Sequence, residues 1–147
     1  MKKIGVIGAG SWGTALAITL SNKGHKVRIW DLDETHLKEL DENRENVRYL
    51  PGIKFGENLQ TAPDVESALD GADIVLFSAP AQHFRSALKG ALPYLKENMV
   101  AVNADLGGRQ VAENYWTTVV SMPWRRQFRG MELLAPWGGT IREAEPF

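Results

Sequence analysis

The stretch KIGVIGAGSWGTALAITLSNKGHKVRIWD, Lys3 to Asp31, limits the fold more than any other part of the chain. Ile4, Val6 and Ile7 make a short apolar strand that breaks into Gly8-Ala9-Gly10-Ser11-Trp12-Gly13. Ala15, Leu16, Ile18 and Thr19 then carry a helical face to Leu20, and Gly24 closes the helix. A second apolar strand, Val27 to Trp30, ends on an acid, Asp31. Strand, glycine turn, helix, strand and acid in that order predict a βαβ unit with parallel strands.

Each residue type in this unit has a mechanical reason, and together they point to a dinucleotide. Gly8 permits the tight turn off the strand. Gly10 has no Cβ and lets a diphosphate reach the backbone, while Gly13 brings the helix close to the sheet. The first helical turn has N–H groups without intrahelical acceptors, and the positive end of the helix dipole faces the same spot. Ser11 adds a hydroxyl there. Asp31 follows the last glycine at about the 20-residue spacing expected of a carboxylate that accepts hydrogen bonds from a ribose. The same carboxylate repels a 2′-phosphate, and no basic residue follows it closely, so NAD is favoured over NADP. Two plainer readings compete. An ordinary αβ turn shares the glycines but lacks the ordered second strand and acid. A signal peptide would share the basic Met1-Lys2-Lys3, but the run that follows holds Gly5, Gly8, Gly10 and Gly13, poor for an apolar h-region.

Composition narrows the function classes further. With 17 basic and 18 acidic side chains the net charge is −1, which gives no electrostatic footprint for nucleic acid or an acidic membrane. No apolar stretch approaches the roughly 20 residues that cross a bilayer. The chain has no cysteine, so thiolate metal ligands, disulfides and a cysteine nucleophile are excluded, and no metal site is expected. A cytoplasmic location fits this usage.

Beyond Asp31 the pattern continues to alternate. Glu34 to Asn43 reads as a surface helix with a thin edge at Leu37 and Leu40, and Asn46 to Gly52 as a loop. Leu59 to Thr61 reads as an edge strand. Asp64 is a good N-cap for Val65 to Leu69, and Gly71 ends that helix. Ile74 to Phe77 is a continuous apolar run suited to a strand buried on both faces, opening at Ser78-Ala79-Pro80 onto a ligand crevice. Gln82 to Leu92 reads as a helix and Met99 to Val102 as a fifth strand. The alternation predicts an α/β fold, a doubly wound parallel sheet of Rossmann type. Residues 1–106 are read as the dinucleotide-binding domain and 107–147 as a divergent tail.

Residues 1 to about 103 resemble the amino-terminal part of the NAD(P)-dependent glycerol-3-phosphate dehydrogenases. The resemblance rests on Gly8-Ala9-Gly10-Ser11-Trp12-Gly13-Thr14-Ala15-Leu16-Ala17, on Asn46-Val47-Arg48-Tyr49-Leu50-Pro51-Gly52, on Ala79-Pro80-Ala81-Gln82-His83-Phe84 and on Ala101-Val102-Asn103. It implies that Ser11 and Trp12 contact the cofactor at the diphosphate turn, that Leu32 lies at its adenosine end, and that Pro80 and Phe84 lie near the nicotinamide. Tyr49 reaches the crevice from its loop, and Phe84 gives the ring an apolar wall. Simple packing competes for two of these residues, Trp12 against the sheet and Phe84 with Leu88 in the core. His83 is not catalytic in the family and is read as structural or solvated, with His25 and His36 as surface residues.

The resemblance fails after Asn103. Where the family has a lysine at the substrate phosphate, this chain reads Leu106, followed by Gly107. The tail carries Trp116, Trp124 and Trp137 with Arg125, Arg126, Arg129 and Arg142, and Thr117 to Met122 is a candidate sixth strand. The family's helical substrate domain, with its general-base lysine, has no counterpart, so no catalytic residue is assigned. Binding of NAD with little turnover on a small phosphorylated substrate is expected. The rival reading is a non-catalytic nucleotide-binding module whose tail makes a homodimer or partner interface.

Overall fold

The computed structural model describes residues 1–104 and the strand Leu133–Leu134. Six strands form one parallel sheet. In chain order the elements are β1 (Lys3–Ile7), α1 (Ser11–Asn22), β2 (Lys26–Trp30), α2 (Glu34–Asn43), β3 (Glu45–Asn46), β4 (Leu50–Lys54), β5 (Leu59–Thr61), α3 (Val65–Leu69), β6 (Ile74–Phe77), α4 (Ala81–Ala91), a 3₁₀ turn at Leu92–Tyr94, β7 (Val100–Asn103) and β8 (Leu133–Leu134). Across the sheet they stand β5-β2-β1-β6-β7-β8. Strand order therefore reverses between β1 and β6, and in a doubly wound sheet a ligand crevice opens at that reversal, outside the carboxyl ends of the strands.

The apolar runs of β1 and β6 are explained by burial on both faces. Ile4, Val6, Val27, Ile29 and Leu76 pack with Ala17, Ile18, Leu37 and Leu40 on the α1 and α2 side. Ile7, Val75, Phe77 and Ala101 pack with Leu69, Phe84 and Leu88 on the α3 and α4 side. Each such aliphatic side chain contributes roughly 1.5–3 kcal/mol by leaving water. β2 differs from its apolar reading in one respect: Lys26 and Arg28 are exposed while Val27 and Ile29 are buried, so it is covered fully on one face only. Arg28 uses its position to donate to the Ser67 carbonyl at 2.7 Å.

Local caps appear where the residue types demand them. Asp64 accepts from the Ser67 amide at 2.6 Å, and Gly24 and Gly71 take φ of +87° and +67° at the helix ends. Asp33 caps α2 by accepting from the His36 amide at 3.0 Å.

Several expectations need correction. The buried face of α1 is Gly13, Thr14, Ala17, Ile18 and Ser21, not the face led by Ala15, Leu16 and Thr19. The helix lies so close to the sheet that small residues must face it, and the Thr14 and Ser21 hydroxyls satisfy themselves on the Ala9 and Ile18 carbonyls. Leu50 to Lys54 is a strand paired antiparallel with β3 rather than part of a loop. Its Pro51 is tolerated because this two-stranded ribbon leaves it exposed. α4 and β7 are displaced by one residue from their expected bounds, α4 toward the amino end and β7 toward the carboxyl end. His36 is buried at 2% exposure, not a surface residue, and His25 is half-buried with Nδ1 accepting from the Lys2 amide at 3.2 Å. The sixth strand described is β8, with Leu133 opposite Ala101 and Leu134 opposite Val102. Leu106, Thr117 to Met122 and the tail tryptophans and arginines lie outside the described residues.

Candidate functional site

The crevice floor is the turn between β1 and α1. Gly8 takes φ +109°, and a Cβ there would meet the Ala79 nitrogen at 2.9 Å and the Ser78 carbonyl at 3.0 Å. A Cβ on Gly13 would collide with the Gly8 carbonyl oxygen and the Ser78 hydroxyl. Ser78, at the carboxyl end of β6, donates its hydroxyl to the Gly8 carbonyl at 2.7 Å, so both sides of the strand-order reversal are joined directly. Gly10 is different: a Cβ built there has nothing within 4 Å. It is the N-cap of α1, and no side chain caps that helix end. The α1 amides thus face open space at Gly10, with the helix dipole's positive end behind them.

Asp31 stands at the end of β2, beside this turn. Its Oδ2 accepts from the Ala9 amide at 2.6 Å and its Oδ1 from the Asp33 amide at 3.0 Å. A carboxylate offers about four lone-pair sites, so two remain for the hydroxyls of a ribose. Leu32, next in the chain, is 76% exposed.

The Asn46–Gly52 segment comes over the other side of the turn. Ser11 donates its hydroxyl to the Tyr49 carbonyl at 2.9 Å, and the Tyr49 ring, 51% exposed, meets the His36 ring edge-on at 5.1 Å. Trp12, on the first turn of α1, is 44% exposed. Pro80 is exposed at the N-cap of α4. Phe84 is 2% exposed and packs edge-on against Phe77 at 5.7 Å; of its two readings the structure displays the core one. His83 is exposed.

Arg48 fastens this segment to α2. Its guanidinium donates to both Glu39 carboxylate oxygens at 2.6 and 2.7 Å and to Asp33 at 3.1 Å. The His36 amide first, and Arg48 with it, holds the Asp33 carboxyl below the ordinary carboxylate range. The Arg48 bond does the same for Glu39, and Glu39 raises Arg48 in return. Because the folded values of the acids are lowered, their stabilisation is complete above the unfolded values and is lost as the pH falls through the folded ones. Arg48→Met is therefore expected to lower the melting temperature at pH 7, with the difference from the parent chain shrinking below about pH 4 and in high salt. Thermal melts at pH 7 and pH 3 check it. A difference that persists at pH 3 would assign the effect to packing of the arginine stem.

Three residues that hold this site together were not legible as site residues, Thr14, His36 and Asn46, whereas Ser78 is read at the crevice without a role. A depression of about 260 Å³ lined by Lys3, Lys26, Arg28 and Asp70 lies at the opposite, amino end of the strands. Among the described residues there is no group of three or more His, Cys, Asp or Glu placed to hold a metal ion, and no helix long and apolar enough to cross a membrane.

Comparison with known proteins agrees with this geometry. The family described as "NAD-dependent glycerol-3-phosphate dehydrogenase N-terminus" matches residues 3–126. The glycerol-3-phosphate dehydrogenase [NAD(P)+] of Desulfotalea psychrophila is 44% identical over 104 residues, covering 71% of this chain and 31% of that protein. That of Nitratidesulfovibrio vulgaris is 46% identical over 105 residues, covering 71% and 32%. Among solved structures, the glycerol-3-phosphate dehydrogenase of Coxiella burnetii superposes with a TM-score of 0.70 at 32% identity, over 79% of this chain and 37% of that one. The yeast enzyme gives 0.71 at 25% identity, over 91% and 41%. The chain thus spans about a third of the length of the sequence relatives it matches, and the glycine turn and the acid after β2 fall within the residues 3–126 that match the family. By its sequence and its fold, the chain belongs to the NAD-dependent glycerol-3-phosphate dehydrogenases and corresponds to their amino-terminal part.

Proposed function

We propose that this chain binds NAD(H) across the β1/β6 crevice as the cofactor-holding share of a glycerol-3-phosphate dehydrogenase. Residues 1–106 form the dinucleotide-binding domain in this reading, and 107–147 a divergent tail. The diphosphate lies over Gly8, Gly10, Ser11, Trp12 and Gly13, Asp31 and Leu32 meet the adenosine, and Tyr49 and Pro80 border the remainder, with Phe84 in the core on the helix that Pro80 caps. The observation that carries it is the free face of Gly10 above uncapped α1 amides. When bound, the nicotinamide supplies hydride transfer between glycerol 3-phosphate and dihydroxyacetone phosphate. The share of these residues is to bind and orient, which is where much of such catalysis originates. A titration of the chain with NADH, followed by nicotinamide fluorescence, tests the reading. Saturable binding is expected, and its absence would refute the assignment.

Cofactor choice follows from Asp31. Its charge opposes a 2′-phosphate, and Arg48, the cation tied to the neighbouring Asp33, is already engaged by Glu39. Asp31→Ser is expected to weaken NADH and to raise the ratio of NADPH to NADH affinity by about tenfold, the scale of removing one close like-charge contact. Paired titrations of the variant read the ratio. An unchanged ratio would place the adenosine ribose away from Asp31.

A further inference from the structure

We propose that His36, Asn46 and Thr14 are positioning residues that clamp the Ala9 peptide and thereby aim the diphosphate turn. The inference rests on the reading that the turn receives a dinucleotide.

One carbonyl, that of Ala9, collects three side-chain donors from three elements. His36 Nε2, on α2, stands 3.0 Å away, Asn46 Nδ2, on β3, 2.9 Å, and Thr14 Oγ1, on α1, 3.3 Å. All three side chains are buried, at 2%, 0% and 0% exposure. The preceding peptide, Gly8–Ala9, is held as well, because the Ala9 amide donates to Asp31. A typical carbonyl accepts one or two bonds, so convergence of three buried donors on a single turn oxygen is a built feature.

Donor roles are fixed by chemistry. A carbonyl only accepts, so His36 donates from Nε2, and its Nδ1 is buried with no hydrogen-bond partner. Asn46 is fixed likewise: its Nδ2 faces the Ala9 carbonyl and the Thr14 hydroxyl, the latter at 2.7 Å, while its Oδ1 accepts from the Tyr49 amide at 3.1 Å. One buried asparagine therefore sets the rotation of the Ala9 peptide and the position of Tyr49 together. Ala9 stands between Gly8 and Gly10, two residues that offer the backbone little restraint of their own. Rotation of that peptide would re-aim the Gly10 and Ser11 amides, and the clamp removes this freedom before a ligand arrives, which lowers the ordering cost of binding.

The test compares His36→Leu with His36→Gln, whose amide nitrogen sits the same number of bonds from Cβ as Nε2. Amide hydrogen exchange at Ala9 in the ligand-free chain reads the clamp, because that N–H shares its Cα with the clamped carbonyl and its bond to Asp31 loosens when the carbonyl is released; ADP-ribose affinity reads the effect on the site. His36→Leu is expected to speed Ala9 exchange and weaken ADP-ribose by about tenfold, the loss of one buried hydrogen bond, with both largely restored in His36→Gln. Thr14→Val, nearly isosteric, should shift both readings in the same direction and serves if His36→Leu does not fold. Unchanged Ala9 exchange with normal ADP-ribose binding in these variants would overturn the clamp, as would equal losses in His36→Leu and His36→Gln. Faster Ala9 exchange in a chain whose parent form binds no ADP-ribose would instead overturn the dinucleotide reading on which the proposal stands.

Discussion

Gly13→Val is expected to destabilise the fold by about 3 kcal/mol or more, enough to lower the melting temperature by roughly 10 °C. Two effects oppose each other at this position. Gly13 lies inside α1, where valine is a slightly better helix former than glycine, by a few tenths of a kcal/mol. Against that gain, the first atom of any side chain would overlap the Gly8 carbonyl oxygen and the Ser78 hydroxyl. One of those atoms is backbone in a turn already fixed at φ +109°, and the other bonds it at 2.7 Å, so neither can yield cheaply. The steric term wins by several-fold. α1 must lift from the sheet, and Ala17 and Ile18 lose their contact with Val6 and Ile29. Denaturant or thermal unfolding of the purified variant checks the size and sign. Stability equal to the parent chain would mean that the helix does not approach the turn as closely as described.

What was legible in the sequence is what local rules control. The β1 turn was readable because a positive φ and a close helix approach both require glycine, and the two requirements fall on Gly8 and Gly13, two residues before and three after Gly10. Asp64, Gly24 and Gly71 were readable because a cap bonds within its own turn. The clamp on Ala9 was not, because its members are 5, 27 and 37 residues away along the chain. His36 sits among charged residues beside Leu37, and nothing local says that the Asn46–Tyr49 segment will cover it. The α1 face was misjudged for a related reason. Apolar periodicity ranks Leu16 and Leu20 inward, whereas a helix pressed onto a turn selects for size, so Gly13, Thr14, Ala17 and Ser21 face in. β8 is only two residues long, and its place beside β7 is a property of the sheet rather than of Leu133 and Leu134.

Gly10→Val is expected to abolish binding while leaving the fold nearly intact, the converse of Gly13→Val three residues along. The backbone at Gly10, φ −69° and ψ −172°, is extended and open to a β-branched residue without strain. A Cβ there meets nothing within 4 Å, so no protein atom is displaced. The structural cost is the loss of a favourable N-cap residue, about 1 kcal/mol at most, which is a few degrees of melting temperature. In the proposed site the same open volume receives the diphosphate. Two methyl groups would fill it and keep the ligand's oxygens from those donors, removing the charge-assisted hydrogen bonds on which the helix-end site depends. NADH affinity should fall by at least about a hundredfold. Titration and melting of the same preparation separate the two effects, since a misfolded variant loses both. Retention of NADH binding by a folded Gly10→Val chain would move the dinucleotide out of the glycine turn, because the proposed site puts the diphosphate where that side chain would stand.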